Sequence, residues 1–257
     1  MEKYIFRIKR VDPEKDTAPR WEDFCVEMVP TQRVLDGLIK IKDELDGSLT
    51  FRRSCAHGVC GSCAMKINGK NGLACQTLIK DVPLFYPSSS RCGHKRAADR
   101  DIRERIGMIV LEPLPALPVI KDLVVDMEPF FAKNQKILPY LINKETPPER
   151  ERLQSPEDQQ KILQSITCIM CGSCTTSCPS FWADKEYLGP SAMLKAYRFI
   201  FDTRDRATDE RLKSVTQMHG LWRCHSIYNC VEVCPKEIDI TKHIIKLKQL
   251  AVKKKVR

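Results

Sequence analysis

No stretch of this sequence stays apolar for long. Runs such as Met108–Leu111 fall far short of the ~18–20 residues a membrane-spanning helix needs, so the chain is not expected to cross a bilayer by itself. The first ten residues, MEKYIFRIKR, hold neither an apolar core nor a twin-arginine pair. No export signal is visible there, and a reducing compartment is expected. Glycine (11) and proline (16) are too sparse for a collagenous or low-complexity chain. No G-x-G-x-x-G and no Walker motif occurs, which removes the usual dinucleotide and P-loop cradles. With 42% hydrophobic and 30% charged residues the balance is that of a folded protein, and 257 residues allow one large domain or two modest ones.

Cysteine, by contrast, is abundant: thirteen residues. The count is odd, the chain is long and no signal peptide is visible, so metal binding outranks a disulfide framework. A net charge of +10 fits nucleic acid, anionic lipid or an acidic protein partner, and does not choose among them.

The chain has two grammars. Residues 1–115 read as β-rich. Tyr4, Phe6 and Ile8 alternate with polar residues, as do Phe24, Val26 and Met28, and VDPEKDTAPR between them is turn chemistry, so a hairpin is expected. Thr31 is a candidate cap for a helix carrying Val34, Leu35, Leu38 and Ile41. Ala64–Ile67 reads as a strand, Asn68-Gly69 as a tight turn, and Met108–Glu112 as a closing strand. Residues 116–150 are a Pro-punctuated connector. Residues 151–257 turn helical. Ser155-Pro156-Glu157-Asp158 is a capping box ahead of Ile162, Leu163 and Ile166. Gly189-Pro190 opens a helix with Ala192, Met193, Ala196, Tyr197 and Ile200 on one face. Thr241 is a candidate cap for the last, with Ile244, Leu247 and Ala251 inward.

Cys55-x4-Cys60-x2-Cys63, with Cys75 further on, has the spacing of plant-type [2Fe–2S] ferredoxins. Four thiolates must converge on a small charged site with backbone N–H groups turned toward the sulfurs. Gly58 and Gly61 permit that backbone, and Ala56, Ser62 and Ala64 permit close approach. A zinc loop is the competing reading, but zinc favours paired Cys-x2–4-Cys knuckles. Cys168-x2-Cys171-x2-Cys174-x3-Cys178-Pro179 is the run of two-cluster ferredoxins, in which the fourth cysteine serves the other cluster. It is echoed 56 residues later, from Cys224 to Pro235. The crossing rule groups Cys168, Cys171, Cys174 and Cys234 on a [4Fe–4S] cluster, and Cys178, Cys224 and Cys230 on a second. The missing ligand position is Ile227, which offers no lone pair. A [3Fe–4S] cluster is the natural occupant, and a [4Fe–4S] cluster with a non-protein ligand the alternative. Cys25 and Cys92 remain, both read as unligated thiols.

RRSCAHGVCGSCAMKINGKNGLAC, PLPALPVIKDLVVDMEPFF, QSPEDQ, CPSFW, GPSAMLKAYRFIFDTRD and WRCHSIYNCVEVCPK together resemble the iron–sulfur subunit of succinate dehydrogenase, or of its relative fumarate reductase, over nearly the whole chain. The resemblance implies an α+β chain: a plant-type ferredoxin-like β-grasp domain, then an all-α helical two-cluster domain. It implies electron flow from FAD through [2Fe–2S], [4Fe–4S] and [3Fe–4S] to quinone, with no succinate site on this chain. Implied partners are an FAD-bearing flavoprotein subunit and membrane anchors, with or without heme b, and no nucleic acid. The implied place is the cytoplasmic face of an inner membrane or the mitochondrial matrix side. Quinone contacts by resemblance are Pro179, Ser180, Trp182, His225 and Ile227. Many members read CPSFWW or CPSYWW, whereas here Ala183 follows Trp182. A polar, basic stretch at 83–105 (Arg91, Lys95, Arg96, Arg100, Arg103, Arg105) departs from the family's shorter loop and reads first as a solvated excursion. The basic tail from Lys246 reads first as a solvated face. Competing functions are fumarate reduction, a soluble multi-cluster carrier, and a zinc-dependent nucleic-acid binder, the last disfavoured by the cysteine spacing and by 7% aromatics.

Overall fold

A computed structural model of the chain describes residues 1–85 and 106–256. The basic stretch from Arg91 to Arg105, and Cys92 with it, lies outside the described residues. The chain divides into two compact units, Met1–Asp126 and Met127–Arg257.

The first unit is built on a five-stranded sheet. Strands β1 (Glu2–Arg10) and β2 (Arg20–Met28) form the expected hairpin, with Tyr4 opposite Val26 and Phe6 opposite Phe24. β3 (Ala64–Ile67) and β4 (Lys70–Leu73) form a second hairpin across Asn68-Gly69, both in the left-handed region. β5 (Gly107–Glu112) does not close an edge. It runs down the middle, parallel to β1 and antiparallel to β3, giving the order β2-β1-β5-β3-β4. Asn68 helps seat it: its side chain accepts from the Val110 N–H and donates to the Pro83 carbonyl. Helix α1 (Val34–Lys40), extended by a wider turn at Ile41–Leu45, lays Val34, Leu35, Leu38 and Ile41 on the sheet. The approach is close: a Cβ at Gly37 would lie 2.3 Å from the Phe6 ring. The cap is not Thr31. It is Arg33, whose N–H donates to the Asp36 carboxylate at 2.8 Å, because an acid three residues on can close the first turn. Arg10, nearly fully buried, pairs with Asp122 (2.9 Å), Asp46 (2.6 Å) and Glu22 (2.9 Å), pinning the loops beyond the sheet to β1. A short ribbon of β6 (Val119–Lys121) and β7 (Val124–Val125) completes the unit.

The second unit is helical: α2 (Glu128–Gln135), α3 (Pro156–Ile166), α4 (Ser173–Thr176), α5 (Pro179–Ala183), α6 (Gly189–Ile200), α7 (Thr208–Val215), α8 (Asn229–Glu232) and α9 (Ile240–Lys253). Ser155 caps α3 as expected, its hydroxyl accepting from Asp158 N–H at 3.1 Å. Only Ile162 of the α3 stripe is buried; Leu163 and Ile166 are exposed. α6 is the central helix, with Ala192, Met193, Ala196 and Tyr197 buried and α9 packed against it through Ile244, Leu247 and Ala251. The cap of α9 is Asp239, accepting from Lys242 N–H at 2.9 Å, and Thr241 lies inside the helix, buried.

Candidate functional site

The first thiol group is set by the β3–β4 hairpin and the loop before it. Cys63 precedes β3 and Cys75 follows β4. The terminal pair Ala64–Leu73, with Ala74 N–H donating to the Cys63 carbonyl at 3.1 Å, brings the two buried thiols side by side. The loop carrying Cys55 and Cys60 folds back by left-handed turns at Ala56, Gly58 and Gly61. Those turns aim amides inward: the N–H groups of His57, Val59 and Cys60 lie 3.4 Å from Cys55 Sγ, and that of Gly58 lies 3.2 Å from Cys75 Sγ. The Ser62 hydroxyl stands 3.1 Å from Cys60 Sγ, and hydrogen bonding led by Ser62 brings that exposed thiol down to about 6. Burial pushes the Cys63 thiol up to about 12.

The second unit carries the repeat into its backbone. Met170 and Ser226, 56 residues apart, are both left-handed, as are Gly172 and Tyr228. One-turn helices follow at equivalent places, α4 and α8. Cys178 N–H donates to the Thr175 carbonyl, and Cys234 N–H to Val231, each at 3.2 Å. The thiols nevertheless gather across the copies. Cys168, Cys171, Cys174 and Cys234 line one partly open cavity, walled by Leu194, Ile238 and Ile240. Burial raises the thiols of Cys168, Cys171 and Cys174, and charges on one another and on Cys234 raise them further. Cys178, Cys224 and Cys230 form the third group. Burial lifts Cys230 to about 11, and negative charge on Cys178 and Cys224 adds to it. Cys178, raised first by burial, is eased back by the N–H groups of Phe181 and Ser180.

These environments fit iron–sulfur clusters. Thiolates crowded together and buried are unfavourable until a cationic core compensates them. The first loop also supplies what such a core wants, amide hydrogens on sulfur.

Around the third group, α5 starts directly after Cys178, so Pro179, Ser180 and Trp182 stand at that end of the unit. Trp182 is half exposed, and its indole N–H is already given to the Thr176 carbonyl at 2.7 Å. His225 and Ile227 lie in the loop after Cys224, both exposed, and Ile227 occupies the repeat position of Cys171. Asn229 donates to the Ser177 carbonyl at 3.2 Å and so ties the two loops together.

Several participants escape sequence reasoning. Thr241, expected as a cap, places its hydroxyl 3.5 Å from Cys230 Sγ. Lys248, expected in a solvated tail, donates to the Cys224 carbonyl at 2.7 Å. Tyr187 is fully buried beside the third group. Cys25 is not the free thiol expected of it. It projects from β2 on the side away from Phe24 and Val26, and it is disulfide-bonded, whereas the other eleven described cysteines are free.

Comparison with known proteins agrees. Residues 5–132 match a 2Fe-2S iron-sulfur cluster binding domain, and residues 160–235 a 4Fe-4S dicluster domain. The succinate dehydrogenase iron-sulfur subunit of Paracoccus denitrificans is 43% identical over 249 residues, covering 96% of this chain and 87% of the relative. The mitochondrial succinate dehydrogenase [ubiquinone] iron-sulfur subunit 1 of Oryza sativa subsp. japonica is 44% identical over 250 residues, covering 95% and 81%. Among solved structures, a chain of the Mycobacterium smegmatis Sdh1 complex in the apo form superposes with a TM-score of 0.79 at 25% identity, covering all of this chain and 98% of that one. With relatives of this closeness along nearly its whole length, the chain belongs to the succinate dehydrogenase iron–sulfur subunit family.

Proposed function

We propose that this chain conducts electrons from the FAD of a flavoprotein partner through [2Fe–2S], then [4Fe–4S], then [3Fe–4S], to a quinone. Cys55, Cys60, Cys63 and Cys75 hold the first cluster. Cys168, Cys171, Cys174 and Cys234 hold the second, and Cys178, Cys224 and Cys230 the third. The observation that carries this reading is the gathering of eleven free thiols into three groups, two of them crossed between repeat copies. The family membership makes the chain a subunit of a membrane-associated oxidoreductase complex. No helix among the described residues is long and apolar enough to cross a membrane, so attachment falls to partner anchors, on the cytoplasmic or matrix face.

Bound clusters supply one-electron acceptor sites of graded potential. What the chain's own residues supply is their environment. Amides of the 55–60 loop and the Ser62 hydroxyl point at the first group's sulfurs. Cys174 and Cys230 are the buried thiols of the other two groups. Ile227 denies the third group a fourth thiolate. Pro179, Ser180, Trp182, His225 and Ile227 would border the quinone. With the indole N–H engaged, Trp182 would offer its ring face, and His225, exposed beside a ligand, is the protonatable group there.

Electron paramagnetic resonance of membranes containing the complex tests this. A three-iron signal should be present when oxidised and vanish on adding succinate, while a reduced [2Fe–2S] signal rises. A three-iron signal indifferent to succinate would keep the cluster assignment and overturn the proposed donor.

A further inference from the structure

Among the described residues, the one buried side-chain polar atom without a hydrogen-bond partner is the hydroxyl of Tyr187. The side chain has no exposed surface. An orphaned buried hydroxyl is costly and rare, and calls for an unseen partner. Tyr187 is firmly placed. Its N–H donates to the Asp184 carbonyl at 3.1 Å, and the next residue's N–H donates to the His219 carbonyl at 3.0 Å. Gly189, left-handed at φ +85°, then presses the segment onto α4, where a Cβ would lie 2.7 Å from Thr175 Cγ2. Thr175 directly follows Cys174. The thiols whose charge bears on the hydroxyl are, in order, Cys224, Cys178 and Cys230, then Cys174. Burial first, and those thiols after it, keep the phenol protonated and therefore a donor.

We infer that the Tyr187 hydroxyl donates a hydrogen bond to a sulfide of the cluster in the third centre. The inference rests on the reading of those three cysteines as ligands. Tyr187 is then a positioning residue that sets the potential of the last centre before quinone. One-electron reduction adds negative charge to a buried centre, and a donor on sulfur stabilises that charge, raising the midpoint. A tyrosine reaches the sulfur and also fills the pocket, whereas phenylalanine would only fill it.

The test uses the assembled complex, wild type and Tyr187→Phe. Potentiometric titration followed by paramagnetic resonance should give a lower midpoint for the third centre in Y187F. A tenfold weaker reduction equilibrium corresponds to about 59 mV for a one-electron couple. The midpoints of the other two centres should stay where they are. After exchange into heavy water, electron–nuclear double resonance of the oxidised third centre should show one coupled deuteron in the wild type that Y187F lacks. An unchanged third midpoint, or the same set of deuteron couplings in both proteins, would overturn the inference. If Y187F does not assemble, the wild type alone still decides, since absence of any coupled phenolic deuteron refutes the bond. A wild-type complex with no three-iron signal would instead defeat the ligand assignment beneath it.

Discussion

Arg211 offers a demanding test of how the helical unit is held. Its side chain and that of Asp205 have no solvent exposure. One guanidinium nitrogen donates to Asp205 Oδ1. Another donates to the carbonyls of Leu138 (3.1 Å) and Tyr140 (2.6 Å), and Nε also reaches Leu138 at 3.2 Å. Leu138 is left-handed, with φ 54°, so the arginine caps a strained turn while neutralising the acid. Asp205 is further held by the N–H groups of Ala207 (2.8 Å) and Ile142 (2.9 Å). Arg211→Met would fill the volume and remove the whole fork. It would leave a buried carboxylate with two amide donors and no counter-charge, a loss of about 3–5 kcal/mol. At about 2–4 °C per kcal/mol for a chain of this size, the melting transition should fall by about 6–20 °C. Differential scanning fluorimetry or calorimetry of wild type, R211M, Asp205→Asn and the double variant measures it. R211M/D205N should lose less than the sum of its singles by about 1–3 kcal/mol, the coupling of a direct pair. Strict additivity, or an R211M loss below about 1 kcal/mol, would refute the account.

Other outcomes follow from the same structure. Ile227→Cys restores a thiol at the repeat position of Cys171. Iron content should rise by about one atom per chain and the oxidised three-iron signal should disappear; an intact three-iron signal in I227C would contradict the crossing assignment. Ser48 and then Arg10 hold the Asp46 carboxyl at about 2, below its ordinary 3.8. A carboxylate depressed in the folded state stabilises fully above 3.8, and the contribution fades as pH falls toward 2. The stability gap between wild type and Asp46→Asn, read by circular dichroism melts, should therefore shrink over that window, and a gap that stays constant would argue against it. Iron removal by a chelator under reducing conditions should abolish hydrogen-exchange protection in α4 and α8, since helices of four residues do not stand alone. The β1, β2 and β5 amides should stay protected, and equal loss in both units would count against a local role for the iron.

Much of this was readable from sequence where one residue type answers one physical demand. Alternating Tyr4, Phe6 and Ile8, the Asn68-Gly69 turn, the Ser155 cap and the α6 face all behave as their patterns require. The cysteine spacings point to three groups because thiolates around a cluster leave few alternatives. What stayed hidden depends on tertiary neighbours. β5 reads as a strand, but nothing local says it runs between β1 and β3. Thr31 and Thr241 look like caps, yet Arg33 with Asp36 and Asp239 take those roles. Thr241, Lys248 and Tyr187 are ordinary helix or loop residues until the fold carries them to Cys230, Cys224 and the third group. Leu163 and Ile166 obey helical spacing but find nothing within the unit to cover them.

The crossed thiols have a consequence for how such a chain comes into being. Each copy of the duplicated segment lends its last cysteine to the other's group: Cys178 stands with Cys224 and Cys230, and Cys234 with Cys168, Cys171 and Cys174. The copies are therefore clasped rather than stacked, and neither can be cut away to leave the other whole. If those groups hold the proposed clusters, a ribosome still short of Cys224 has exposed a segment that can finish neither centre. Under the proposed ligand assignment, iron loading waits for both strands of the clasp, which makes the order of synthesis and the order of metal insertion one problem for the cell.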